Sequence, residues 1–512
     1  MTFILKLLKT IFSRVFAIAL SVIIQVAIIV ILMEEMAASY LYFQVALSIL
    51  GLLIFVGLVN KKMNPEHKMI WAFLVIVFPL LGILLYFILW LNSPKKRVLK
   101  KYTTFDKSII KQEGSYKEDV YKISNKFEGQ FKYIENTSSL NAYKNSKCIY
   151  LKSGTEFYDS LIKDLKNAKE FIFMEYFIIN HGKMWDSILE ILKEKVKEGV
   201  EVRFIYDDLG SAKYVRGNYH KKLQSYGIKC HKYNTMIPLV SSYHNNRDHR
   251  KITVIDGYIS YTGGINLSDE YMNITSPFGH WKDNAVRIEG EATNNFTILF
   301  LQSYALACRE KQDFDKYLYN KEKHPIIESE EILLPFGTGP SNMYYENMAN
   351  DVFLHLINQA KRSIDISTPY LVIDYALTNA LIAASARGVK VRILIPSIPD
   401  KKLVYAFARD TAHDLSSYGI EIYTYTPGFN HAKSFLVDDE IAFVGTTNLD
   451  FRSLLHHYEC GVLIYNSPCL KDIDANFEDD YLKSKLMSEK ELRSNVIVKL
   501  VLSFLKVFQS LL

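Results

Sequence analysis

Cysteine is scarce in this chain, and its spacing excludes a common class of site. The five residues Cys148, Cys230, Cys308, Cys460 and Cys469 are odd in number, and no two stand in the C-x2-C arrangement of a zinc site. Free thiols suit the cytoplasm. An excess of one charge is also missing: 61 Lys and Arg face 55 Asp and Glu, and the net charge of +6 agrees with an anionic surface or substrate without requiring either. Absent too is a small-residue cleavage site after the first apolar run. Lys6, Lys9 and Arg14 precede that run as in a signal sequence, but Glu34 and Glu35 follow it, so it reads as a retained anchor.

Apolar length, by contrast, is abundant at the start. Three runs, Val15 to Met33, Tyr40 to Val59 and Met69 to Trp90, are each long enough to cross a hydrocarbon core of about 30 Å, which takes roughly 20 helical residues. The latter two, separated by Asn60 to Lys68, read as a helical hairpin in the membrane. Residues 1–93 are therefore expected to be a membrane-anchoring region of two or three transmembrane helices, multi-pass in the cell membrane, with 94–140 a linker. Lysine and arginine counts on the two sides are nearly equal, so the positive-inside rule does not orient the spans; the thiols favour cytoplasmic catalytic domains. At the other end, Lys499, Ser503, Lys506 and Ser510 make one polar stripe across 494–512, as in an amphipathic helix lying in the membrane interface. The same stripe also suits a helix docked on the protein core.

The rest of the chain is dominated by a pattern that occurs twice. His249, Lys251, Asp256, Gly263 and Asn266 recur with identical spacing as His431, Lys433, Asp438, Gly445 and Asn448. One chance copy of the full pattern would arise in about one such chain in a few thousand, so two are not an accident. Each copy reads as two strands around a tight turn, with His and Lys on one face because side chains alternate along a strand. The Asp falls at the turn and out of step with both, so it reads as a residue that fixes the hairpin. Gly263 and Gly264 leave the backbone open to close approach by a ligand, and the Asn adds an amide donor beside the Lys ammonium. One imidazole, one ammonium and one amide in each copy suit a phosphodiester, offering a nucleophile or acid together with donors for the phosphoryl oxygens.

The repeat extends beyond the motifs. Ala168 to Tyr176 parallels Ala360 to Tyr370, Gly199 to Tyr206 parallels Gly388 to Ile395, and Tyr226-Gly-Ile parallels Tyr418-Gly-Ile. Strand, helical stretch, strand, helical stretch and motif hairpin therefore appear twice, the pattern of an α/β fold in two halves, 141–330 with motif 249–266 and 331–493 with motif 431–448. The repeat also aligns two acids downstream of the motifs, Asp283 and Glu459. A carboxylate on the far nitrogen of each imidazole would fix its tautomer and stabilise its cation.

The duplicated motif resembles the signature of the phospholipase D superfamily. That resemblance implies two α/β domains related by a pseudo-twofold axis and one active site shared between them, with both His-Lys-Asp sets as catalytic motif residues. Further stretches narrow it to the bacterial cardiolipin synthases: Trp71 to Gly82, Tyr206 to Ser211, Asp269 to Tyr271, Trp281 to Asp283, Thr338 to Pro340, Thr368 to Tyr370, Asn448 to Ser453 and the terminal Ser510-Leu-Leu. One departure is His457-Tyr458-Glu459, where that family usually has Asn-Phe-Glu. The resemblance implies condensation of two phosphatidylglycerols through a phosphohistidine, with His249 as nucleophile and His431 as acid and base. Lys251, Lys433, Asn266 and Asn448 would bind phosphate, and Asp283 and Glu459 would orient the histidines. It implies no cofactor and no metal, and around the motifs lysines stand where a two-metal site would need clustered carboxylates. Partners are then phosphatidylglycerol and an anionic membrane, with no nucleic acid expected. A membrane-tethered hydrolase or nuclease would use the same residues; a non-catalytic scaffold would not need to keep both motifs complete.

Overall fold

The structure, a computed structural model, describes residues 41–61, 64–91, 103–104, 126–235, 245–340 and 347–511, with scattered positions between 20 and 31. The first apolar run, Val15 to Met33, thus falls largely outside the described residues.

Two mixed sheets carry the chain. The first is built from β1 (Ser146–Leu151), β2 (Phe171–Tyr176), β3 (Glu201–Asp207), β4 (Lys229–Tyr233), β5 (Lys251–Ile255), β6 (Ile259–Gly263) and β8 (Ala285–Gly290); β7 (His280–Lys282) lies outside it. The second uses β9 (Ile332–Thr338), β10 (Ser363–Ser367), β12 (Lys390–Pro396), β13 (Glu421–Tyr425), β15 (Ser434–Val437), β16 (Ile441–Gly445), β18 (Glu459–Tyr465) and β19 (Ser484–Leu486), with β11 (Leu371–Val372) and β17 (Leu449–Asp450) paired to each other outside it. Strand orders are β1-β8-β6-β5-β2-β3-β4 and β9-β18-β16-β15-β10-β12-β13-β19, which superimpose position by position until β19 extends the second sheet. Directions agree as well: β2, β3 and β4 are mutually parallel, as are β10, β12 and β13, and every other neighbour is antiparallel. Strands β2, β5, β10 and β15 are almost wholly buried, as central strands covered on both faces are. The helix Thr293–Cys308, apolar on nearly all sides, packs under the first sheet and against β9, so one core runs through both halves.

The segment 94–140 does not end as a linker. Glu128–Ser138 is a helix, and Phe127, Phe131 and Ile134, at helical spacing, are fully buried in the shared core. Lys126, just ahead of it, pairs with Asp438 at 2.7 Å and Glu440 at 2.8 Å.

The anchoring region also departs from its expected form. Among the described residues one helix, Leu41–Asn60, is long and apolar enough to cross a membrane. The run from Met69 to Trp90 is two helices of 13 residues, Pro65–Val77 and Pro79–Leu91. Each is about 20 Å long, short of a bilayer core. The break sits at Phe78 (φ −127°, ψ 69°), because Pro79 disfavours helical geometry in the residue before it. Trp71 and Tyr86 then meet edge to face at 5.5 Å across the hairpin. Gly82 allows this fold-back, since a Cβ there would lie 2.5 Å from the Leu74 carbonyl.

The C-terminal segment forms a helix over Val496–Leu505 and a 3-10 stretch over Lys506–Leu511. Leu502 packs on Val372, Phe407 and Phe451, while Val496, Ile497, Leu500, Val501 and Phe504 face outward. Lys506, expected among head groups, instead reaches Asp410 at 2.6 Å, because the helix Lys402–Ser416 offers it an acid. Phe508 meets Phe73 at 5.6 Å, tying this end of the chain to the apolar hairpin.

Candidate active site

Each motif occupies an antiparallel hairpin, β5 with β6 and β15 with β16. The turn residues Asp256 (φ 53°) and Gly257 (φ 66°) are left-handed, and Asp438 (φ 55°) and Asp439 (φ 58°) match them. The Asp256 carboxylate accepts the backbone N–H groups of Lys169, Glu170 and Phe171, each at 2.8 Å. Asp438 does the same for Lys361, Arg362 and Ser363. Burial would raise the Asp438 carboxyl, but Lys126 and these three donors outweigh it and hold its pKa below the ordinary value. Both acids thus clamp the hairpin tip to the strand beside it, away from the imidazoles, so the catalytic part that the resemblance implied for Asp256 and Asp438 gives way to the hairpin-fixing one, because their carboxylates are spent on backbone donors. Asp256→Ala strands three donors and should cost about 3 kcal/mol of stability, read as a lowered melting temperature. For Asp438, whose folded pKa is depressed, the stabilisation should be full above the usual carboxylate range and fade as pH falls through the folded value.

The two acids downstream of the motifs are exchanged between the halves. Nδ1 of His249 lies 2.9 Å from both carboxylate oxygens of Glu459, and Nδ1 of His431 lies 2.6 Å from Asp283. Main-chain pairing fixes this arrangement. In β14 (Gly428–Asn430) residues Phe429 and Asn430 run parallel to Trp281 and Lys282 of β7, and Asp248 bridges to Tyr458, also in parallel. Each histidine therefore stands one residue past a paired position, beside the acid one residue past its partner. The His431 N–H donates to the Lys282 carbonyl at 2.7 Å and the His249 N–H to the Tyr458 carbonyl at 2.9 Å. The motif glycines serve the same end: a Cβ at Gly264 would lie 2.0 Å from Asp283 Oδ1, and one at Gly445 would lie 2.5 Å from the Cys460 carbonyl. They make room for the acids and their strands, where an approach by ligand was expected.

With Nδ1 committed to a carboxylate, Nε2 is the nitrogen each ring has left for chemistry. Phe177 meets His249 edge-on at 4.9 Å, and Trp281 and Tyr271 stand 5.4 and 5.6 Å from His431. Burial among these rings, then the charges of Lys251 and Lys433, push both imidazoles well below the usual histidine pKa. Burial also brings Lys251 down to about 8 and Lys433 to about 7, and raises Asp283 to about 7 against the pull of Lys433. Lys251 Nζ donates to the His249 carbonyl at 2.5 Å, and Lys433 Nζ lies against both the His431 carbonyl and, at 2.9 Å, its Nδ1.

The asparagines are less alike than their spacing implies. Asn266 Oδ1 accepts the Ile178 N–H at 3.0 Å and its amide donates to the Tyr271 hydroxyl at 2.7 Å, whereas Asn448 donates to Asp450 at 3.3 Å and leaves Oδ1 unpaired. Both amides are thus partly spent on holding their loops. Sequence reasoning missed Lys401, whose charge lowers both motif histidines. Its ammonium lies 4.6 Å over the Tyr370 ring, and the Tyr370 hydroxyl donates to Asp400 at 2.6 Å. No motif marks that lysine; only the fold brings it to the site.

The family described as "Cardiolipin synthase, PLD-like domain" matches residues 161–296 and 353–481, one match in each half. The chain belongs to the cardiolipin synthase family. Among its relatives, cardiolipin synthase 1 of Staphylococcus aureus is 32% identical over 447 residues, covering 85% of this chain and 90% of its own. The cardiolipin synthase of Oceanobacillus iheyensis is 30% identical over 439 residues, covering 84% and 90%. A solved phosphatidylserine synthase of Haemophilus influenzae shares the fold at a TM-score of 0.56 and 16% identity, over 75% of this chain and 98% of its own. The hairpin phenylalanines and tyrosine, Phe435, Phe443 and Tyr261, are buried core residues, as their apolar places in the hairpins imply.

Proposed function

We propose that the chain transfers a phosphatidyl group from one phosphatidylglycerol to another, giving cardiolipin and glycerol. The observation that carries this reading is the exchange of Asp283 and Glu459 between the halves, because it ties both imidazoles into one site that neither half could form alone. His249 Nε2 attacks phosphorus, the bond to the glycerol oxygen breaks, and protonated His431 gives that oxygen its proton. Neutral His431 then takes the proton of the second lipid's primary hydroxyl, whose oxygen attacks phosphorus and releases His249. An incoming phosphodiester is an anion, so it favours protonated His431 against the opposing effects of burial and of Lys433 and Lys251. Lys251, Lys433 and the free amide hydrogens of Asn266 and Asn448 compensate the five-coordinate phosphorane.

Residence in the membrane suits an enzyme with two lipid substrates. Leu41–Asn60 acts as a span, with Val15 to Met33 as a further retained anchor; the short hairpin 65–91 enters the bilayer without crossing it, and the catalytic halves lie on the cytoplasmic side. The outward apolar side chains of Val496–Leu505 rest on the same lipid surface. Purified protein incubated with phosphatidylglycerol vesicles should yield cardiolipin and glycerol in equal amounts. Recovery of phosphatidic acid alone would favour the hydrolase. EDTA should leave turnover unchanged, since lysines supply the charge that a metal would; loss of activity restored by one divalent ion would refute that.

A further inference from the structure

The spacing of the motifs conceals a cluster that the fold assembles. His457 packs beside His249 with ring centres 5.6 Å apart, and its Nδ1 lies 3.8 Å from Glu459 Oε1, beyond hydrogen-bond reach. His249, His457 and Glu459 each offer one ligand atom, and the three lie within 4.8 Å of one another. His457 is only 9% exposed, and both of its ring nitrogens are buried without a hydrogen-bond partner. A buried imidazole with neither nitrogen satisfied is rare in folded proteins and calls for a ligand. Glu459 is held in place by the Thr446 hydroxyl, so the carboxylate is fixed before any ion arrives.

We propose that His249, His457 and Glu459 form a binding site for a transition-metal dication of the zinc class, and that its occupancy switches the enzyme off. Two imidazoles and a carboxylate are a recurring zinc set, with bonds of about 2.0–2.2 Å and a fourth position left open. The hard ions magnesium and calcium prefer oxygen ligands and are not expected to compete. Inhibition follows from the tautomer: coordination uses the lone pair of His249 Nδ1, so the ring's proton must sit on Nε2, the atom that attacks phosphorus. Lys251 and Lys433 oppose a dication, which limits the affinity and keeps the site reversible.

This inference rests on the phosphatidyl-transfer reading for its activity readout, so binding is measured separately. Full-length protein is titrated with Zn2+ in the phosphatidylglycerol assay, and with Co2+ by visible absorption in the absence of lipid, for the natural chain and for His457→Asn and His457→Ala. The natural chain should lose turnover with zinc at micromolar concentrations, recover it with EDTA and ignore Mg2+. His457→Asn should keep its basal turnover and need at least tenfold more zinc. Co2+ should give a tetrahedral spectrum with the natural chain alone. Equal zinc sensitivity in all three proteins, or no Co2+ spectrum with the natural chain, would overturn the proposal. Were the protein inactive on phosphatidylglycerol, the lipid-transfer reading would fail, while the Co2+ comparison would still decide the metal site.

Discussion

His249→Ala and His431→Ala should each abolish cardiolipin formation, and the double variant should be no worse than either single one. The two imidazoles stand in one site: each is buried, each lowers its pKa partly through the lysines of both halves, and each leans on the other half's carboxylate. Groups that act as a unit do not add, because removing one already stops the cycle. Each single loss should approach a millionfold, the scale seen when a nucleophile or its base is removed from a concerted site, about 8 kcal/mol of transition-state stabilisation. Both variants should fold, which a melting curve checks, since Asp256 and Asp438 still clamp the hairpins that carry the motifs. Quench-flow capture of a phosphoenzyme separates the roles: His431→Ala retains a nucleophile and His249→Ala does not. More than a small residue of turnover in either variant would break the claim of a shared site.

Asp283→Asn and Glu459→Gln should each lower kcat by about a thousandfold or more while KM changes little, as when the aspartate of a triad is replaced by its amide. Each amide keeps the shape of the acid but can present its NH2 to Nδ1, turning the ring to the wrong tautomer. Because the acids are exchanged, the effects should cross the halves. Asp283→Asn, in the first half, impairs proton transfer by His431 and should be partly relieved by a substrate with a better leaving group. Glu459→Gln, in the second half, impairs attack by His249 and should not be. Turnover at the natural rate in both variants would return these residues to a role in shaping strand ends.

The motif spacing made the two hairpins, the repeated strand order and the clamp role of Asp256 and Asp438 legible, because all three depend on local pattern: alternation along a strand and a turn with positive φ. The exchange of Asp283 and Glu459 was not legible. Those acids meet histidines 148 and 210 residues away, and only the parallel pairing of 428–430 with 280–282 and of Asp248 with Tyr458 selects the partner. Lys401 was hidden for the same reason. The hairpin at Phe78 was foreshadowed by Pro79, but counting apolar length over 69–90 overrode the proline. The helix 128–138 likewise showed its apolar spacing in Phe127, Phe131 and Ile134, masked by the polar residues around it.

The central claim is that the phosphoenzyme is resolved by a lipid hydroxyl and not by water. It is tested most directly by running the phosphatidylglycerol reaction in water enriched in heavy oxygen and weighing the phospholipid products. Cardiolipin without label, matched mole for mole by glycerol, is the predicted result; phosphatidic acid carrying heavy oxygen as the main product would contradict it.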